Sequence, residues 1–154
     1  MPELDISALP RPALPHVELA YEAVVDIGEL VSLGQSPLGE RRIIDIVGGE
    51  FSGPGLRGKV LRGGADRQLV RPDGLRLLDA LYEMQTDDGT ILTVHNKCKV
   101  RDAGPGHARY AFSTLEVTAP QGRYDWLNQL VLVGTVTPLM PQRRAVLISV
   151  YKLL

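Results

Sequence analysis

The chain has 154 residues, with 17 Lys and Arg against 18 Asp and Glu, 44% hydrophobic residues and 23% charged ones. That balance describes a folded domain long enough to bury its own core, and it excludes disorder along the whole chain. Sixteen glycines and 11 prolines argue against a helix bundle or coiled coil and predict a chain that turns often.

Four of the 11 prolines fall within Met1–Pro15, which predicts an extended N-terminal tail followed by one domain over residues 16–154. From there, short β-type runs alternate with turn signals. Val17–Ile27 ends at Gly28, and Arg41–Val47 lies between Gly39 and Gly48-Gly49. Leu56–Leu61 and Asp66–Val70 follow, the second running into Arg71-Pro72-Asp73-Gly74. Arg76–Thr86 and Thr90–Val100 are joined by Asp87-Asp88-Gly89, a strong hairpin signal. Ala108–Thr118, Leu130–Thr137 and Ala145–Leu153 complete the series. Gly74–Glu83 nearly fits a helical period, but its flanking Asp-Gly turns favour a strand. Arg123–Gln129 lacks alternation and predicts a single helical turn. The expected fold is all-β: an antiparallel β-barrel of about eight to nine strands with at most one short helix.

Cys98 is the one cysteine, so no intramolecular disulfide forms. The start shows no signal-peptide pattern, and no apolar run is long enough to span a bilayer, so a cytoplasmic protein is expected. Near-zero net charge and eight aromatics (five Tyr, two Phe, one Trp) argue against nucleic-acid partners. His16, His95 and His107 share no metal-ligand spacing. The glycine-rich pieces lack the phosphate-loop pattern, and no GxSxG elbow is present. No metal, cofactor or membrane partner is therefore expected. Cys98, between Lys97 and Lys99, reads first as a small buried strand residue. Asp73, Asp87 and Asp88 read as turn residues.

What remains is the polar content of the β-runs. In a barrel alternate residues face inward. Asp66 and Gln68 share one face, as do Tyr82 and Met84, and Thr93 and His95. Parity alone does not say which face is the inner one.

Three blocks carry a resemblance: Gly48–Gly74 ("GGEFSGPGLRGKVLRGGADRQLVRPDG"), Asp79–Leu92 ("DALYEMQTDDGTIL") and Tyr124–Thr135 ("YDWLNQLVLVGT"). Together they resemble the family called domain of unknown function 3237, over about Val17 to Tyr151. The resemblance implies a closed or nearly closed antiparallel barrel. It also links the chain to cyclisation or isomerisation of phenolic natural products, including chalcone-type isomerisation. Where the family usually has an aromatic after Gly-Gly-Ala-Asp, this chain has Arg67, which would change the ligand if that position lines the mouth. Asn128, after Trp126-Leu127, matches the family.

Two functions follow as expectations. One is a cofactor-free isomerase, cyclase or lyase acting on a small oxygenated, phenolic or polyketide-like substrate. Asp66 is the candidate base and Tyr82 or His95 the candidate acid. Arg42 and Asn128 would steady an enolate or phenolate, and Arg67, Gln68 and Trp126 would complete the binding surface. The other is a non-catalytic barrel that carries or senses a small hydrophobic molecule. The tail and any exposed strand would also suit a homo-oligomer.

Overall fold

Alternation decides this fold. Along Tyr110–Thr118, every second side chain is buried and the rest face solvent, the pattern of a strand packed on one side only. The computed structural model describes residues 1–154. Its strands are β1 (Val17–Ser36), β2 (Gly39–Gly53), β3 (Leu56–Val60), β4 (Gly64–Val70) and β5 (Arg76–Thr86). They continue as β6 (Ile91–Arg101), β7 (Tyr110–Thr118), β8 (Leu132–Pro138) and β9 (Ala145–Leu153), with one helical turn, α1 (Trp126–Gln129), between β7 and β8. Every pairing is antiparallel. The order runs β1-β9-β8-β7-β6-β5, then through β3 and β4 to β2, which pairs back onto β1. The sheet is thus a closed ring, a nine-stranded barrel with no helix on its wall. Of Gly74–Glu83, the residues from Arg76 on are strand rather than helix, and α1 lies within Arg123–Gln129.

Two strands run longer than the sequence suggested. β1 continues past Gly28 to Ser36, and β2 passes through Gly48-Gly49 to Gly53. The glycine pair is a bulge inside a strand. Asp26 stands opposite Gly48 and Ile27 opposite Ile46, which leaves Val47 as the extra residue. Gly49 has φ 133°, and a Cβ there would come within 2.0 Å of the Val24 carbonyl oxygen. The pair therefore bends the wall where a side chain would separate β1 from β2.

The two ends of the barrel differ. At one end lie the β5–β6 turn, the end of β7, α1 and the start of β8. Phe51, Leu56, Met84, Leu92, Leu127 and Leu132 fill it, all almost inaccessible to solvent. Burying each such side chain contributes ~1.5–3 kcal/mol. Polar groups lock this end. Asn128 Oδ1 accepts from the Ala119 amide at 2.8 Å, and its Nδ2 donates to the Ala119 carbonyl at 2.9 Å. The Tyr124 hydroxyl donates to Asp88 at 3.1 Å, tying the α1 segment to the β5–β6 hairpin. At the other end, where β5, β7 and β9 begin, the barrel stays open.

Residues Met1–Pro15 lie exposed outside the barrel, with one 3-10 turn at Ile6–Ala8. No helix is long and apolar enough to cross a membrane.

Candidate functional site

The open half of the barrel encloses a cavity of about 340 Å³. One side of its wall is apolar: Val25 and Ile27 from β1, Ile44 and Ile46 from β2, Val136 from β8, Ile148 from β9. The opposite side, built by β4, β5 and β6, carries Asp66, Gln68, Tyr82, Asn96 and Cys98. Arg76, Asp102 and Arg109 stand at the mouth. A ligand held here would lie with one face on hydrocarbon and one edge against polar groups.

Strand register assembles the polar wall. Asp66 pairs with Ala80, Gln68 with Leu78 and Ala80 with Asn96, so inward residues of three neighbouring strands meet at one level. Gly64 makes room for Tyr82, because a Cβ at Gly64 would lie 2.4 Å from the tyrosine Cβ. The Gly63-Gly64-Ala65-Asp66 block thus admits a bulky phenol at one inward position and supplies a carboxyl at the next.

Asp66 is held from two sides. Gln68 Nε2 donates to its Oδ2 at 2.7 Å, and the Asp79 amide donates to its Oδ1 at 3.0 Å. Burial nonetheless pushes its carboxyl above the ordinary value of 3.8, since desolvation outweighs these two bonds. Burial likewise pushes the Tyr82 phenol up, with a further contribution from the Asp66 charge. Tyr82 therefore stays protonated, a donor rather than a base. Six buried side-chain polar atoms have no protein partner: the Tyr21 and Tyr82 hydroxyls, Arg42 Nε, Gln68 Oε1, Asn96 Oδ1 and Ser113 Oγ. Each unpaired buried group costs ~1–3 kcal/mol. Three of the six, on Gln68, Tyr82 and Asn96, belong to residues lining the cavity, where a polar ligand would satisfy them.

Of the residues singled out in the sequence, Asp66, Gln68 and Tyr82 come together here. His95 does not. Leu92, Val94, Asn96, Cys98 and Val100 are the buried side chains of β6, so His95 faces outward, where its Nε2 lies 2.6 Å from Asp79 Oδ1. Of the two residues expected as the acid, only Tyr82 therefore faces the cavity. Arg67 is exposed on the outer face of β4 and does not line the mouth. Trp126 and Asn128 sit at the closed end. The indole packs against the core with Lys152 Nζ 5.5 Å from its ring, and the amide is spent on Ala119. Arg42 shares the inward face with its neighbour Gln68 but is held by Glu40 at 2.9 Å and stands outside the cavity lining. Cys98 is a buried wall residue whose thiol burial pushes up. Asn96, Arg76, Asp102 and Arg109 escaped the sequence reading. For Asn96 the signal was present, because it alternates with Val94 and Val100 while the charged Lys97, Lys99 and Arg101 occupy the other face. No three His, Cys, Asp or Glu side chains are grouped as a metal-ligand set.

A closed antiparallel barrel with a half-filled interior and a carboxyl–phenol pair on its wall defines the class. Residues 15–153 match the model of the protein of unknown function family DUF3237, and the chain belongs to that family. A UPF0311 protein of Rhodopseudomonas palustris (strain TIE-1) is 45% identical over 135 residues, 79% of this chain and 88% of the relative. The crystal structure of a beta-barrel like protein from Acinetobacter baumannii AYE superposes with a TM-score of 0.83 at 31% identity, covering 94% of this chain and 99% of the other. A more distant relative is the hydroalkoxylation enzyme phnH of Penicillium herquei, 28% identical over 125 residues, 81% of this chain and 76% of that protein.

Proposed function

We propose that the protein is an acid–base enzyme that closes a ring or isomerises a small oxygenated substrate, phenolic or polyketide-like, inside the barrel. The observation that carries this reading is Asp66: a carboxyl raised by burial, on the wall of an open apolar cavity, in the company of the unpartnered Tyr82 hydroxyl. A carboxyl whose charged form burial disfavours holds a proton more readily than an exposed one, which suits it to acid–base work. The distant relationship to a hydroalkoxylation enzyme supports the same chemistry, addition of a hydroxyl across a carbon–carbon double bond.

In such a step the Asp66 carboxylic acid gives its proton to one alkene carbon. The substrate's hydroxyl oxygen forms a bond to the neighbouring carbon, and the hydroxyl proton passes to the Asp66 carboxylate, which restores the acid. Tyr82 donates a hydrogen bond to a carbonyl or phenol oxygen where negative charge develops. Gln68 and Asn96 accept from substrate hydroxyls and fix the pose. For isomerisation the same pair works in reverse order, with the Asp66 carboxylate removing a proton first.

The test is a thermal-shift screen against phenolic and flavonoid-like compounds, with ultraviolet spectra followed in the same wells. A stabilising compound whose spectrum changes is expected, and Asp66→Asn should slow that change ~100-fold or more. Turnover by Asp66→Asn at the wild-type rate would contradict the assignment. Stabilising compounds with unchanging spectra would instead mark the barrel as a carrier or sensor.

A further inference from the structure

The mouth of the cavity carries basic side chains, whereas the interior's ionisable groups are Asp66, Tyr82 and Cys98. Outside the lining Arg42 is paired with Glu40 at 2.9 Å, and at the mouth Arg76 is paired with Asp102 at 2.8 Å. Arg109 differs from both, because its guanidinium donates to the Val136 carbonyl oxygen at 2.9 Å and has no carboxylate partner. Arg76, at the start of β5, and Arg109, just before β7 and bonded to β8, both belong to the cavity lining. The bond to Val136 engages one Nη and leaves the rest of the fork free. Two arginines face a single rim carboxylate, Asp102, and Asp102 is itself largely exposed. A neutral ligand gains nothing from that excess.

We propose that Arg109, with Arg76 beside it, forms a subsite for a carboxylate at the outer end of the ligand. The substrate is then an amphipathic acid: a hydroxyl or carbonyl at the Asp66–Gln68–Asn96 level, an apolar body along β1, β2 and β9, and an anionic group at the rim. The spacing fits. Ala80, the strand partner of Asp66, is four residues from Arg76, which is about 13 Å along a strand. Both arginines line the same cavity as Asp66, so an extended acid of the size of a para-hydroxycinnamic acid is the class of ligand to test. The guanidinium fork suits a carboxylate through two parallel bonds. This inference takes the cavity from the proposed function but does not depend on Asp66 being catalytic.

Binding of 4-hydroxycinnamic acid and of its uncharged methyl ester, measured by calorimetry near neutral pH, tests it. The acid should bind about tenfold tighter than the ester. Arg109→Gln should erase that difference and leave the ester's affinity unchanged, and Arg76→Gln should reduce it. High salt should narrow the gap in the wild type, because the rim is solvent-exposed. Equal affinities for acid and ester, a gap that survives both substitutions, or binding of neither compound would each overturn the proposal. If Arg109→Gln does not fold, Arg76→Gln and the salt series decide. Asp66→Asn should preserve the preference for the acid even where it abolishes turnover, so failure of the catalytic reading and failure of the anionic subsite are separately visible.

Discussion

The closed and open ends of this barrel are made by the same strands, yet they solve opposite problems. At the closed end, inward positions of β5 and β6 are Met84 and Leu92, fully buried, and the Asn128 amide and Tyr124 hydroxyl are spent on fixed partners, Ala119 and Asp88, while the Tyr21 hydroxyl beside Phe51 is left unpaired. A few residues along the same strands, the inward positions become Tyr82, Asn96 and Cys98 around a cavity, with unpaired polar atoms on its wall. One end supplies the stability that lets the other keep an unfilled interior and a buried carboxyl.

The largest effect should come from breaking that contrast with matched truncations. Leu92→Ala removes a side chain enclosed on all sides and should cost about 2–5 kcal/mol in urea unfolding. Ile148→Ala removes one that already borders the cavity, and the loss should be at most about 2 kcal/mol, since fewer contacts disappear. Equal losses would mean that the open half is packed as tightly as the closed one. Gly89→Val comes next. Gly89 has φ 90° in the β5–β6 turn with open space around it, so only backbone strain acts, and a loss of about 1–2 kcal/mol is expected. An unchanged melting temperature would contradict the positive-φ requirement.

That turn shows how much of the fold was legible. Asp-Gly between alternating runs specifies a hairpin through local chemistry alone, and nine strands were countable because turn residues punctuate them. Gly48-Gly49 reads in the sequence as a strand end but is a bulge, since glycine marks both a turn and a close approach of backbones, and only the position of Val24 tells them apart. The site was half legible for a related reason. Asp66 and Gln68 declared a shared face, but the direction of that face is settled by pairing with β2 and β5. On β6, the histidine drew attention away from Asn96, although the run of Lys97, Lys99 and Arg101 already marked its own face as the wet one. The mouth arginines left no signal, because separate turns bring Arg76 and Arg109 to one rim.

The two ends should also respond oppositely to pH. Asp66 has a raised folded-state value, so its carboxyl penalises folding above that value and ceases to do so below the ordinary 3.8. Asp66→Asn should therefore raise the melting temperature at neutral pH, with the gain vanishing as pH falls below about 4. Asp88 at the closed end is the reverse and smaller case. Hydrogen bonds from Thr86, Thr90 and Tyr124 hold its carboxyl down to about 2 from 3.8. Its contribution is present above 3.8 and is lost as pH drops through about 2. Asp88→Asn should flatten the acid limb of the stability curve, a change visible in melting temperatures between these two pH values.

The central claim is that burial in the open half tunes Asp66 for proton transfer. A carbon-detected NMR titration of the Asp66 side-chain carboxyl measures this directly. The account predicts a midpoint above 3.8 that moves again when a phenolic ligand fills the cavity. A midpoint at or below 3.8, unmoved by ligand, would contradict it.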